Sequence, residues 1–233
     1  MQNAPSRLRT ILCLTAMGAG LATAASAHPG VRARLKDRHP AAARIDLDAV
    51  DERLLEAAIF AETNARRAEH GLDPLRAHPL LAVMARRHAD RMVEHDFYDH
   101  RDPVDPALAR PDDRARRVGI GNPHIGENIH DHRAVEAEGA VYPLGRGRFA
   151  ATPDGPPLPP YTYRGLASAI VDEWMASSGH RANILRPQAR QMGVGVSFYW
   201  REGGWPFVKA VEVFQVFEDV ALTAPRVRST LAR

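Results

Sequence analysis

Trp174-Met175-Ala176-Ser177-Ser178-Gly179-His180-Arg181-Ala182-Asn183-Ile184-Leu185 is the stretch on which the reading of this chain turns. It opens as the end of a helix. Leu166, Ile170, Glu173, Trp174 and Ser177 recur at helical spacing along one face, and Gly179 supplies the stop. A histidine follows at once, then an arginine, then an asparagine in front of two apolar residues. A large aromatic on such a stripe belongs in a core, whereas a histidine just past a helix stop is free to meet another segment. Taken alone, such a histidine is a surface or capping residue more often than a ligand.

Two upstream segments share this character. Phe97-Tyr98-Asp99-His100 follows a second helical stretch, and Ile125-Gly126-Glu127-Asn128-Ile129 carries a carboxylate between a glycine and an amide. Neutral imidazoles with a carboxylate suit a divalent metal such as zinc. The same groups also suit a polar ligand, or a plain His–Glu hydrogen bond that locks loops together. Common catalytic signatures are missing: there is no G-x-S-x-G elbow, H-E-x-x-H pair, phosphate-binding loop or dinucleotide fingerprint.

Outward from these segments, the spacing predicts a helix over Asp48 to His70, with Leu54, Leu55, Ala58 and Ile59 on one face and Gly71 as its stop. Pro79 opens another, whose apolar stripe is Leu81, Met84, Ala85, His88, Ala89 and Met92. A short helix is expected from Asp112 to Val118. Residues 130–164, rich in proline and glycine, read as a long loop, either a lid beside the site or a decoration. Alternation from Met192 to Phe198, a Glu202-Gly203-Gly204 turn and the run Phe207 to Phe217 predict a β-hairpin. His88 is expected in the core, and His124, His130 and His132 on surface loops. Asn128 and Asn183 are expected to hold loop backbone, and Arg181 to be a structural ion-pair partner.

The ends of the chain point to export. Arg7 and Arg9 precede an apolar stretch, Ile11 to Ala24, and Ala25-Ser26-Ala27 is a small-residue cleavage pattern, so residues 1–27 read as a signal peptide. Residues 28–47 are expected to be a flexible segment, 48–220 the domain and 221–233 a disordered tail. The only cysteine, Cys13, lies in that leader, so the mature protein is expected to fold without disulfides, as a monomer. The formal charge of +3 includes both leader arginines, which leaves no electrostatic case for nucleic acid or an anionic membrane. No transmembrane segment is expected after cleavage.

In this order and spacing the segments resemble the CAP family: cysteine-rich secretory proteins, antigen 5 and pathogenesis-related proteins, which share the SCP-like domain. The resemblance is to its bacterial, cysteine-free branch. Thr63-Asn64-Ala65-Arg66-Arg67 before Gly71-Leu72, and Gly193-Val194-Gly195-Val196, add to it. It covers roughly Leu54 to Phe217 and implies an α+β fold, a three-layer α-β-α sandwich with a small antiparallel sheet between helices. It also implies a cleft where His100, His180 and Glu127 converge, with zinc as the metal they would hold. Many eukaryotic members carry a second carboxylate where this chain has Ser177; Glu173 lies one turn earlier and is the expected substitute. Two functions follow as expectations for a secreted or periplasmic protein. One is binding of a lipid, peptide or glycan-like envelope ligand; the other is metal-dependent hydrolysis of envelope material.

Overall fold

The computed structural model describes residues 40–137, 141–145 and 148–223. In chain order its helices and strands are α1 (Glu52–Glu69), β1 (Arg76–Ala77), α2 (Pro79–Glu94), α3 (Pro111–Arg117), β2 (Ile125–Arg133), β3 (Tyr142–Gly145), β4 (Arg148–Ala150), α4 (Tyr163–Ala176), α5 (Ser178–Ile184), β5 (Ala189–Arg201) and β6 (Trp205–Val216). Short 3-10 turns lie at Pro40–Ala42 and Pro106–Leu108. The main sheet has the order β1-β5-β6-β2. The expected hairpin β5–β6 is its centre, β2 joins β6 antiparallel, and β1 adds two residues in parallel to β5.

The pleat sorts side chains to two helical layers. On one face Val211, Val213 and Ile129 pack with Leu81, Met84 and Met92 of α2 and with Ala115 of α3. On the other, Val194, Ala210 and Phe214 pack with Leu55 and Ile59 of α1 and with Ile170 and Trp174 of α4. The arrangement is the α-β-α sandwich expected, in the α+β class. The glycines of the Gly193-Val194-Gly195-Val196 run mark the closest approach of the first layer. A Cβ on Gly193 would fall 2.2 Å from the Ala82 nitrogen, and one on Gly195 would fall 2.0 Å from the Arg86 nitrogen, so α2 rests directly on the strand backbone.

Four stretches differ from expectation. Residues 130–133 are strand rather than loop, because β6 supplies partners for them: His130 opposite Ala210, Asp131 opposite Lys209, His132 opposite Val208 and Arg133 opposite Phe207. That pairing is long-range and leaves little trace in local composition. Further on, β3 and β4 form a hairpin whose Phe149 is buried and stacks on Trp205, with ring centroids 3.5 Å apart. Upstream, residues 40–47 are not loose: Ala41 and Ile45 are buried, and the Ile45 N–H donates to the Tyr161 carbonyl at 2.9 Å. At the other end, Leu222 bridges to Ile120 and the Thr223 N–H donates to the Gly119 carbonyl at 2.9 Å. Residues 1–39 and 224–233, with the leader and most of the tail, lie outside the described residues.

A buried acid ties α1 to the sheet. Glu212 is fully buried; it accepts a hydrogen bond from the Thr63 hydroxyl at 2.6 Å and one from the Asn128 amide at 3.4 Å. Burial outweighs these bonds and raises its carboxyl to about 8. The native state therefore keeps a proton that the unfolded chain loses near its ordinary value of 4.5. The contribution of this group to stability is greatest below that value and falls as pH rises towards 8. Denaturant unfolding of Glu212→Gln beside the parent should show the difference moving in the variant's favour between about pH 5 and pH 8. A constant difference would mean that Glu212 is not protonated in the fold.

Candidate functional site

β2 is an edge strand, and the two helical layers meet over its free side. Side chains hold that side instead of another strand. The Ile129 carbonyl accepts from the Trp174 indole N–H at 3.0 Å and from the Tyr98 hydroxyl at 3.2 Å. Asn183 donates to the Glu127 carbonyl at 3.2 Å and to the Asn128 side-chain oxygen at 3.0 Å; Asn128 in turn donates to the His180 carbonyl at 3.2 Å. The two asparagines hold backbone, as expected. Gly126 lacks a Cβ where one would sit 3.0 Å from the Asn183 Oδ1, which lets α5 close on the strand. Arg181 forms no ion pair among the described residues and donates to the Met175 carbonyl at 3.0 Å.

This stitching brings His100, from the loop after α2, to within 6.2 Å of His180 on α5, ring centroid to ring centroid. Glu127, on β2 between them in sequence, joins His100 through a 3.0 Å contact from Nδ1 to Oε1. Its other oxygen accepts from the Arg114 guanidinium at 2.6 Å. Arg114, almost wholly buried, also donates to the carbonyls of His100 and Leu108. Sequence reasoning missed it, since nothing in its spacing separates it from Arg110, Arg116 or Arg117.

The two imidazoles are driven apart electrostatically. The hydrogen bond to Glu127 raises His100 above its ordinary value, whereas burial and the neighbouring His100 charge lower His180. Burial works to raise Glu127, but the His100 hydrogen bond and the Arg114 charge prevail and hold it low. The two imidazoles are thus shifted in opposite directions from the ordinary value. A Glu127→Gln substitution should move the His100 titration, followed by histidine NMR, down towards an unperturbed imidazole. No change would remove Glu127 as the cause.

Glu173 and Ser177 play other parts. Glu173 is exposed and acts electrostatically on His130, beside which it lines a cavity of about 300 Å³ with His132, Tyr161 and Arg133. It makes no bond to the His100–Glu127 pair. Ser177 ends α4 and starts α5 with extended backbone (φ −82°, ψ 125°), a bend that sets the start of the helix carrying His180. His130 and His132, expected on surface loops, stand in register on β2 with Nε2 and Nδ1 3.3 Å apart. Burial lowers both, His132 to about 4. His88 is buried as expected, with Nε2 3.0 Å from the Asp99 carbonyl.

Among the described residues no three metal-binding side chains are placed to hold an ion. The carboxylate that the sequence offers as third ligand has both oxygens engaged, one of them by a guanidinium, so Glu127 fits as the group that orients His100 and not as a ligand. Of the three expected ligands this leaves the two imidazoles, with ring centroids 6.2 Å apart. No helix among the described residues is long and apolar enough to cross a membrane.

Comparison with known proteins adds the following. The model of the cysteine-rich secretory protein (CAP) family matches residues 60–214. The uncharacterized protein YkwD of Bacillus subtilis strain 168 is 29% identical over 140 residues, which cover 60% of this chain and 41% of that protein. The chain therefore spans about two fifths of the length of this curated relative. Two solved structures are similar in fold. An extracellular protein containing an SCP domain from Bacillus anthracis strain Ames has 24% identity and a TM-score of 0.45, over 71% of this chain and 41% of that one. An outer surface protein from Borrelia burgdorferi has 12% identity and a TM-score of 0.47, over 72% of this chain and 97% of that one.

Proposed function

The chain belongs to the CAP family of cysteine-rich secretory proteins, and from that premise we propose that it acts outside the cytoplasm, secreted or periplasmic, as a protein whose histidine cleft binds a polar, peptide- or glycan-like ligand of the cell envelope. One observation carries this reading: Glu127, the carboxylate bonded to His100, is buried and tied through both oxygens to Arg114 and His100. A carboxylate held inside by a guanidinium is committed to positioning His100 rather than presented to water or to an ion. What faces outward is His100, its side chain 47% exposed, with His180 beside it. Two imidazoles side by side, whose ring nitrogens can each donate or accept, suit a polar ligand. The charged and imidazole lining beside them, His130, His132, Arg133 and Glu173, argues for a polar ligand over an acyl chain.

The test is histidine NMR of the protein titrated with solubilised fragments of cell-wall peptidoglycan. Resonances of His100 and His180 should shift saturably, and His100→Ala or His180→Ala alone should weaken the response of the remaining histidine while keeping the parent melting temperature within a few degrees. Release of cleaved fragments at catalytic turnover would overturn the binding reading, as would histidine resonances that stay unmoved.

The second reading, a metal-dependent hydrolase, is favoured by the meeting of the two imidazoles at one cleft, with ring centroids 6.2 Å apart. His100 and His180 would hold a divalent cation such as zinc, with Glu127 fixing the His100 ring; the ion would supply a Lewis acid for bound water. Stoichiometric zinc in protein purified without a histidine tag, lost in His100→Ala/His180→Ala and accompanied by hydrolysis, would favour it. Mass spectrometry of exported protein should find His28 as the first residue, following the Ala25-Ser26-Ala27 pattern.

A further inference from the structure

The sheet is longer than the helix that covers it. Along β5, Gly193 lies against Leu81 and Ala82, Gly195 against Ala85 and Arg86, and Tyr199 lies in the same cavity wall as Val93, one residue before α2 ends at Glu94. Past that point the same face runs on bare through two cross-strand rows: Arg133, Phe207 and Tyr199, then Trp205 and Arg201. This overhang is the floor of a groove of about 980 Å³, which Trp200 also lines.

Bare sheet faces are ordinarily covered with polar side chains. Here charged and aromatic groups alternate and are locked together. The Arg201 guanidinium lies 3.8 Å over the Phe207 ring, and Arg133 lies 6.0 Å from the Trp205 ring, whose other neighbour is the stacked Phe149. The Lys209 ammonium sits 4.8 Å from the Tyr98 ring and 5.5 Å from that of Tyr199. Asp131 binds Arg201, Lys209 and the Tyr199 hydroxyl beneath. Arg133 has no ion pair or hydrogen bond to its side chain among the described residues, and Trp200 is 45% exposed.

The charges identify the occupant by elimination. Arg133, Arg201 and Lys209 are matched by Asp96, Glu202 and Asp131, so the groove has no net charge to draw a nucleic acid or an anionic lipid surface. Its walls are too charged for an acyl chain. Flat rings flanked by planar donors and acceptors suit a molecule with apolar C–H faces and a rim of hydroxyls, which is a saccharide. The volume, at the upper end for small-ligand sites, suits an oligomer more than one ring. We propose that this overhang is a glycan-binding groove for β-linked sugars of the glucose type, whose ring substituents lie equatorial and leave both faces flat. It adjoins the cavity of His130 and His132, since Arg133 and Phe207 line both, but its evidence does not rest on the His100–His180 cleft.

The chain supplies its own probe. Of its three tryptophans Trp174 is in the core, and Trp200 and Trp205 line the groove. Titration of the full chain with chitotetraose, the β-1,4 tetramer of N-acetylglucosamine, should give a saturable change in tryptophan fluorescence. Trp200→Ala, which loses an edge-on contact with Phe198, and Arg133→Ala should each weaken binding about tenfold or more with the melting temperature within a few degrees of the parent. His100→Ala/His180→Ala should leave this affinity intact, so that groove and cleft succeed or fail separately. An absent fluorescence response, parent-like affinity in both groove variants, or binding of anionic vesicles or duplex DNA in place of chitotetraose would each overturn the proposal.

Discussion

Replacing Arg114 by alanine is expected to destabilise the domain by ~3–5 kcal/mol, the range for removing one partner of a buried ion pair. The side chains of Arg114 and Glu127 are 4% and 2% exposed, so water does not screen the pair. The guanidinium also ends on the carbonyls of His100 and Leu108, which lose their donor in the variant. What remains is a carboxylate in the interior with only the half-exposed His100 to balance it. Its protonation should then shift upwards, because burial is the largest influence on it and Arg114 is one of those that oppose burial. A second variant separates charge from packing: Arg114→Ala/Glu127→Gln should recover part of the loss, since the uncompensated charge is gone. Urea unfolding of the four species gives the coupling directly. A loss below about 1 kcal/mol for the single variant would mean that Glu127 is already neutral in the native protein.

That pair also marks where reading the sequence stopped. The helical stripes of α1, α2 and α4 were legible because each buries one face, and Leu55, Ile59, Leu81, Met84, Trp174, Val194 and Phe214 all lie at 4% exposure or less. The hairpin β5–β6 was legible from alternation and a Gly-Gly turn. β2 was not, because an edge strand with only Ile125 and Ile129 among Gly, Glu, Asn, His, Asp and Arg has neither the run of β-branched residues nor the apolar alternation that announce a strand. Its register comes from β6, more than seventy residues away, and its free side is capped by Asn183, Trp174 and Tyr98. The same gap explains the histidines. His130 and His132 looked like loop residues, and only the strand reveals that alternate positions point to one face. The meeting of His100, Glu127 and His180 was available through family resemblance alone, since no local spacing joins residues drawn from a loop, a strand and a helix.

Truncating Trp174 to alanine is expected to cost ~3–5 kcal/mol, the range for deleting a large buried aromatic. The ring has no exposed surface and sits in the layer formed by α1 and α4. Its N–H, however, reaches across to the carbonyl of Ile129, the β2 residue two positions after Glu127. The substitution therefore opens a cavity and releases one of the two donors to the Ile129 carbonyl, leaving Tyr98 from the other layer on that group. Trp174→Phe separates the two effects. It keeps most of the volume and loses the donor, so it should cost less, with about 1 kcal/mol of that loss assignable to the hydrogen bond. If packing and site are coupled through β2, the phenylalanine variant should also broaden or shift the His100 and His180 resonances, although neither ring touches Trp174 in the fold. Unchanged histidine spectra in a variant destabilised by the expected amount would mean that the strand holds its position without the indole, and that Asn128 and Asn183 alone set the cleft.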